Sequence, residues 1–379
     1  MQLLSIAATS GTSGLGTASV YFFSAGLCML VVMTLAYLWY TIGAARLAKT
    51  VGLEKSGSQA VSKTSGRVGA AVPSVHAASA AGAGVTSIAT LTPVAAADMP
   101  GAVVPEATKP ASEVVLREQP DGEVPIALNS GLIAIGRVGT AIGWMTVFAL
   151  TMSQIFRTIV EQHAPWSNLY EFSISFTIAL LLCYLIFEAR FHERVRAWGL
   201  YVCLLAVVTV GIALFIGSAY NLIGDSTSLI PALQDQPILT VHVSMAIFAY
   251  ALFSVAFGAG LIILVQGGEG RRFAWLPSAE AADELGYKAV IVGFPLLALT
   301  LILGAYWANY AWGSYWSWDP KETSALITWL IYAVYLHARG IRGWRGKRAG
   351  WLLTIGFAAT LFTYYGVSFF VPSLHSYAK

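Results

Sequence analysis

Three tryptophans lie within seven residues, in the segment Trp-Gly-Ser-Tyr-Trp-Ser-Trp-Asp that runs from Trp312 to Asp319. Each indole offers a broad apolar face and a single N–H donor, so the group suits a flat, apolar, conjugated ligand. Tryptophans also collect at membrane–water interfaces, where they form an aromatic belt without binding a ligand. The neighbouring residues favour the ligand interpretation, because an Asp-Pro-Lys-Glu turn follows and histidines are predicted at the same end of the molecule.

Two histidines belong to this end of the predicted bundle. His242 lies at the start of the fifth apolar stretch, and His375 lies just beyond the last one. Two neutral imidazoles can provide the axial ligands of a low-spin haem iron, and aromatic side chains can cover the porphyrin. Either histidine alone is better explained as an interfacial polar residue. Together with the tryptophans, they predict a haem site.

His337 lies near the opposite end of the seventh apolar stretch. It is explained either as a residue that caps the helix end or contacts lipid headgroups, or as half of a second haem site. No second histidine occurs in an apolar stretch at that depth. In the haem interpretation, the other ligand therefore has to come from another chain.

Charged residues beside the tryptophans also have two explanations. Asp319 is a favoured helix N-cap and Pro320 a favoured first helical residue, so capping explains this turn without any function. Arg157 and Lys321 are cations predicted on the same side, and each could pair with a haem propionate.

The composition indicates an integral membrane protein, because 57% of the residues are hydrophobic and only 11% are charged. Ordinary soluble domains have about 25% charged residues. A net charge of +3 does not suggest a nucleic-acid partner. The three cysteines form no CxxC or Cys/His cluster, which argues against a zinc site, a dithiol centre and self-attached c-type haem.

Eight apolar stretches approach the length of roughly 20 residues that a membrane helix needs. They cover residues 20–44, 131–157, 169–188, 198–218, 238–266, 288–308, 323–338 and 350–371. The predicted fold class is therefore all-α, a polytopic membrane helix bundle of about eight transmembrane helices surrounded by lipid. We divide the chain into an N-terminal helix (1–44), a disordered Ala/Gly/Ser-rich cytoplasmic linker (45–130) and a seven-helix core (131–379) with a tryptophan-rich loop at 307–323.

Basic residues concentrate in three loops, at 190–196, 271–272 and 339–348. The positive-inside rule predicts that these loops face the cytoplasm. Both termini, the tryptophan-rich loop, His242 and His375 then face the outer side of the cell membrane.

The tryptophan-rich motif resembles the signature of the haem-handling (WWD) proteins of cytochrome c maturation. Within that group it is similar to the CcsA/ResC type, also labelled CcsB, which is the system II cytochrome c synthase subunit. The resemblance covers roughly residues 131–379, although the family usually has a tryptophan between Pro231 and His242 where this chain has none. The motifs that carry it are Trp312-Gly-Ser-Tyr-Trp-Ser-Trp-Asp319-Pro-Lys-Glu-Thr323, Pro165-Trp-Ser-Asn-Leu-Tyr-Glu171, Pro231-Ala-Leu-Gln234, His242-Val-Ser-Met245 and Leu374-His-Ser-Tyr377.

The resemblance implies that haem b is held on the outer side with His242 and His375 as axial ligands. An inner site would use His337 and a histidine from a ResB-type partner subunit. The complex would act as a holocytochrome c synthase that attaches haem to the CxxCH motifs of apocytochromes c. The resemblance also implies that the tryptophan-rich loop holds haem, so the predicted haem-binding residues include Trp312, Gly313, Trp316, Trp318 and Asp319. Four of these, Trp312, Trp316, Trp318 and Asp319, are also predicted to take part in the reaction. Arg157 is added to the haem-binding residues because of its charge and its predicted side.

Two other functions remain open at this point. The chain could transport or export haem without attaching it, as other proteins with the tryptophan motif do. It could also be a b-type electron carrier, although that function normally requires paired histidines within the helices of one chain.

Overall fold

A computed structural model describes residues 14–65, 130–191, 193–220, 237–341 and 343–375, with only the backbone described for 51–65 and 193–194. Their regular structure is helical throughout. The helices are α1 (Gly14–Ser65), α2 (Ser130–Glu161), α3 (Leu169–Phe191), α4 (Gly199–Ala219), α5 (Pro237–Gln266), α6 (Ala279–Trp312), α7 (Pro320–Ile341) and α8 (Lys347–Phe370, with a π-helical segment at Phe362–Gly366). A short helical turn, Glu193–Arg196, lies between α3 and α4.

This architecture confirms the predicted all-α membrane bundle. Seven of the described helices are long and apolar enough to cross a membrane, and α7 is the eighth long helix. The hydropathy of α7 is lower because one of its faces is polar, as described below. The orientation of the termini relative to the cell stays a prediction.

Two boundaries of the predicted division into segments differ from the observed ones. Helix α1 continues to Ser65 rather than ending at residue 44, so the first part of the predicted linker is helical, and residues 66–129 lie outside the described part. The tryptophan-rich loop is also shorter than 307–323. Helix α6 continues through Trp312 and ends at Gly313, whose positive φ of 76° suits a residue without a Cβ, and α7 begins at Pro320.

The stretch from Pro231 to Gln234, and the position of the expected tryptophan before residue 237, lie outside the described residues.

The helices form two groups that meet at α3 and α5. Helix α1 packs along α2 and also contacts α4, while α3 contacts α2, α4 and α5. Helix α5 packs along α6 and against α8, and α7 contacts both α6 and α8. The second group, α5 to α8, contains His242, the tryptophan-rich loop and the segment that leads to His375.

A buried carboxylate joins α1 to the rest of the bundle. Glu188 of α3 accepts hydrogen bonds from the Tyr37 hydroxyl of α1 (2.6 Å), the Thr140 hydroxyl of α2 (2.6 Å) and the Arg196 Nε (2.9 Å). A carboxylate at membrane depth requires such partners. The first helix is therefore an integral part of the bundle, although it is far from α2 in sequence.

Candidate functional site

The turn between α6 and α7 is built by reciprocal helix capping. The Asp319 carboxylate accepts the backbone N–H of Lys321 (3.0 Å), and the Asp319 carbonyl accepts the N–H of Thr323 (2.9 Å). In return, the Glu322 carboxylate accepts the N–H of Asp319 (3.2 Å) and of Ser317 (2.9 Å). This is a capping box, so the capping interpretation of the Asp-Pro-Lys-Glu turn is confirmed.

Asp319 has a second set of partners, 55 and 56 residues further along the chain. Its carboxylate accepts the backbone N–H of Leu374 (2.6 Å) and the Nδ1–H of His375 (2.9 Å). The side chain is 2% exposed, so these bonds are protected from water and correspondingly strong. One carboxylate therefore both begins α7 and fixes the segment that follows α8.

Two tryptophans surround the His375 ring. The ring centroid of Trp312 lies 4.9 Å away with an interplanar angle of 83°, and that of Trp307 lies 6.1 Å away at 46°. The two indoles contact each other edge to face at 4.8 Å. Both belong to the last turns of α6, so the end of this helix supplies an apolar aromatic wall for the imidazole.

His242 approaches the same place from α5. Its Nδ1 is 2.8 Å from the carbonyl oxygen of Thr300 on α6. The ring also lies against Gly304, where a Cβ atom would come within 2.6 Å of its Cε1. His242 is close enough to His375 and Lys321 to interact electrostatically with both. The fold therefore brings the two sequence-predicted histidines to one site.

The hydrogen bonds determine which ring nitrogen of each histidine carries the lone pair. A carbonyl or a carboxylate oxygen only accepts hydrogen bonds, so Nδ1 must be the protonated nitrogen in both His242 and His375. In the neutral ring the lone pair is then on Nε2. Histidines that bind metals commonly have such an Nδ1–H bond to a carbonyl or carboxylate. This donor set fits an iron-porphyrin ligand.

The pKa values of Asp319 and His375 are consistent with this arrangement. Burial raises the pKa of Asp319, but the hydrogen bonds from His375 and from the backbone N–H groups of Leu374 and Lys321 outweigh it and keep the pKa below its usual value. Burial lowers the pKa of the His375 imidazole, and the interactions with Asp319 only partly offset that effect. Near neutral pH the carboxylate is therefore charged and the imidazole is neutral.

The remaining tryptophans of the loop extend away from the histidines. Trp316 and Trp318 contact each other edge to face at 5.7 Å, and Trp318 is 70% exposed with a positive φ of 59°. A left-handed conformation is uncommon for a bulky residue. It leaves the Trp318 indole on the surface of the turn, where an aromatic face is accessible to a ligand or a partner.

Lys321 contacts the site, whereas His337 and Arg157 belong to other places. The Lys321 Nζ is 3.4 Å from the Ser368 hydroxyl of α8. His337 is exposed on α7, nearly five turns from the loop end of that helix. Arg157 donates to Glu171 (2.7 Å) and pairs with Glu161 (2.6 Å). Its partners include these carboxylates of α2 and α3, and a role for it with a propionate stays a prediction.

Three residues of the site were not among those selected from sequence. Thr300 contributes only its carbonyl, and Gly304 contributes only the absence of a side chain, so neither residue type signals a role. Trp307 lies five residues before Trp312 in the same helix. This spacing offers a weak signal, but only the folded helix shows that both indoles contact His375.

A family model described as cytochrome C assembly protein matches residues 166–375, which include both histidines and the whole tryptophan-rich loop. The chain belongs to this family. The match begins after Arg157 and includes His337. It confirms the resemblance that the tryptophan motif indicated.

Relatives within the family are called cytochrome c biogenesis protein CcsA. The protein of Pyropia yezoensis is 31% identical over 293 residues, which are 65% of this chain and 89% of the relative. That of Heterosigma akashiwo is 37% identical over 250 residues, 56% of this chain and 76% of the relative. That of one strain of Prochlorococcus marinus is 36% identical over 258 residues, 60% of this chain and 80% of the relative. This member of the cytochrome c assembly family is therefore of the CcsA type.

Proposed function

We propose that this chain presents haem b for covalent attachment to the CxxCH motifs of apocytochromes c, acting in the membrane with a ResB-type subunit. The observation that carries the proposal is the pair of imidazoles, His242 and His375. Each is oriented through Nδ1 by a fixed acceptor, and both lie beside the tryptophan-rich loop. Haem is the substrate of this reaction, and the family name agrees with a role in cytochrome c biogenesis.

The reaction explains why the site consists of ligands and apolar walls rather than a nucleophile. In each thioether bond, a cysteine S–H adds across a vinyl C=C of haem, so the sulfur bonds to one carbon and the proton to the other. No electrons are gained or lost overall. The contribution of the protein is to hold the reactants in position and to exclude water. Trp312 and Trp307 supply the apolar wall, and Asp319 and the Thr300 carbonyl keep the two imidazoles oriented.

The position of His337 supports a role for a second subunit. It is exposed on α7 at the opposite end from the tryptophan-rich loop, and a polar side chain at membrane depth normally faces protein rather than lipid. In the proposed complex, a histidine of the ResB-type partner and His337 bind haem on the inner side of the cell membrane. The His242–His375 site then faces outward, as the basic loops predict.

The test is an absorption spectrum of the detergent-purified chain, co-expressed with its partner, together with haem staining of a c-type cytochrome. We expect sharp α and β bands in the reduced wild type, and loss of these bands and of cytochrome staining in His242→Ala and His375→Ala. His163→Ala is the control, because this ring contacts Glu161 and Ala164 in a different loop. Normal spectra and normal staining in both site variants would refute the proposal.

A reaction with purified components separates haem attachment from haem transport alone. If the chain only transports haem, purified complex and apocytochrome should yield no covalent product, while the spectrum of the complex would still depend on both histidines. Covalent product in a defined mixture of complex, reduced haem and reduced apocytochrome supports attachment.

A further inference from the structure

Helix α7 has most of its polar residues on the face toward the bundle and large apolar residues on the exposed face, where His337 also lies. The exposed side chains include Ile327 (50%), Leu330 (48%), Val334 (54%) and Ile341 (74%). The buried face has a polar residue at every turn, at spacings of three and four residues: Lys321, Ser324, Thr328, Tyr332, Tyr335 and Arg339. We call these six residues the polar face of α7. Such a pattern suits a helix with lipid outside and polar groups inside the bundle.

The partners of this polar face change along its length. Near the tryptophan-rich loop they are hydroxyls of α8, since Lys321 contacts Ser368 and Thr328 contacts Thr363 (3.1 Å). At the opposite end, Arg339 forms two hydrogen bonds with one oxygen of Asp283 on α6 (2.7 and 3.0 Å). Both ends of the polar face therefore have direct hydrogen bonds.

The middle of the polar face lacks such bonds. Among the described residues, the Tyr332 hydroxyl, the Tyr335 hydroxyl and the second oxygen of Asp283 have no hydrogen-bond partner. Their side chains are almost completely buried, with residue exposures of 0%, 1% and 4%. Burying a polar group without a hydrogen-bond partner is unfavourable, so three adjacent ones would be a considerable penalty.

These three groups are close to one another. Tyr335 lies within electrostatic range of Asp283 and of Tyr332. The Tyr332 hydroxyl in turn lies near the Thr360 side chain of α8 but has no hydrogen-bond partner. The ring of Tyr332 cannot move freely, because it stacks on Phe253 at 3.7 Å. These neighbouring polar atoms therefore lack direct hydrogen bonds, an arrangement in which bridging water would satisfy them.

We propose that water molecules occupy this position and connect Asp283, Tyr335, Tyr332 and Thr360 into one hydrogen-bonded chain. Buried waters typically make about three hydrogen bonds to polar groups that otherwise have no partner. The interior of the α5–α8 group is then hydrated at membrane depth. Such a chain gives water and protons access from the Asp283–Arg339 end toward the middle of the bundle, independently of any haem chemistry.

Phenylalanine substitutions distinguish bridging water from an empty gap. Removing a hydroxyl that has no partner stabilises a protein or leaves its stability unchanged, whereas removing one that binds water loses a hydrogen bond. We expect Tyr335→Phe and Tyr332→Phe each to lower the melting temperature of the detergent-purified full chain by about 2–4 °C. Tyr201→Phe is the control for the loss of one direct hydrogen bond, because the Tyr201 hydroxyl donates to the Ser254 carbonyl at 3.1 Å.

A melting temperature that is unchanged or raised in both variants would overturn the proposal. A second measurement serves if the variants do not fold. A high-resolution density map of the wild-type protein should contain ordered water between the Asp283 carboxylate and the Tyr335 hydroxyl, and an empty gap there would equally overturn it.

Discussion

Two buried carboxylates at helix starts, Glu171 and Asp319, have similar hydrogen bonds but different consequences. Glu171 of α3 accepts the N–H and hydroxyl of Ser167 (2.9 and 2.7 Å) and the Nε–H of Arg157 (2.7 Å). Asp319 accepts two backbone N–H groups and the Nδ1–H of His375. Both carboxylates therefore connect a loop to a neighbouring element.

The two carboxylates differ in their side-chain partner, which is a guanidinium for Glu171 and an imidazole for Asp319. A guanidinium is permanently charged and has only hydrogen-bond donors. Arg157 therefore has no lone pair with which to bind a haem iron. An imidazole that donates through one nitrogen has a lone pair on the other. The same carboxylate chemistry thus stabilises the structure in one place and orients a ligand in the other.

The largest stability effect is expected from Arg157→Leu. This change leaves the charge of Glu171, which is 0% exposed, buried without its cation, and breaking such a pair costs about 3–5 kcal/mol. Thermal unfolding of the purified protein measures it. Lys288→Leu is the control, because its pair with Glu284 is exposed (43% and 56%) and such pairs contribute at most about 1 kcal/mol. Similar losses in the two variants would contradict a structural role for the Arg157 pair.

Gly304→Ala is expected to have a smaller effect on stability but a large effect on haem binding. The new methyl group would approach the His242 ring within 2.6 Å and displace it from the Thr300 carbonyl. Overpacking of this kind costs about 1–3 kcal/mol, and haem copurification should fall severalfold. Gly211→Ala in α4 is the control, since nothing lies within 4 Å of its added Cβ. Equal haem content in the two variants would show that His242 does not need this space.

Asp319→Asn is expected to change the charge at the site with little change in the stability of the protein. Asn is about as good an N-cap as Asp, so the start of α7 is retained while the charge beside His375 is removed. A carboxylate partner makes an imidazole ligand more basic. We therefore expect the midpoint potential of bound haem to rise in Asp319→Asn but not in Glu322→Gln, measured by spectroscopic redox titration. An unchanged potential would show that the charge of Asp319 does not influence the bound haem.

The smallest expected effect is a dependence of stability on pH. The pKa of His375 is below its usual value in the folded protein, so the unfolded chain binds this proton first as the pH falls. The contribution to stability decreases as the pH falls from about 6.5, the ordinary histidine value, to the lower folded value. The lowered pKa of Asp319 acts in the same direction at more acidic pH.

Melting temperatures between about pH 7 and about pH 2 measure this slope, because the Asp319 part lies below the ordinary aspartate pKa of about 3.9. The acid-side part attributable to Asp319 should disappear in Asp319→Asn. A melting temperature that rises as the pH falls would contradict both assignments.

The helices and the caps of the site could be predicted from local sequence. The apolar stretches have the length that a bilayer requires, and the Asp319-Pro-Lys-Glu322 turn has the residues of a capping box. The largest boundary errors came from helices that continue beyond their apolar part. Helix α6 begins at Ala279, before its apolar stretch at 288–308, and α1 reaches Ser65.

The residues that form the site could be predicted only in part. The topology of alternating spans predicted that His242, His375 and the tryptophans would share one end. In the folded chain, His375 contacts Trp312 and lies within electrostatic range of His242. Arg157 was selected by the same argument, yet its partners include Glu171 and Glu161. Sequence position gives the depth of a residue in the membrane but not its neighbours at that depth.

Sequence alone determined the fold class, the number of long helices and the chemistry available in the tryptophan-rich segment. These properties depend on composition and on periodicity within each helix, which act over a few turns. Only the tertiary structure decided that Asp319 orients His375 and that Gly304 makes room for His242. These contacts join residues 56 and 62 positions apart, and they depend on how α5, α6, α7 and the segment after α8 pack together.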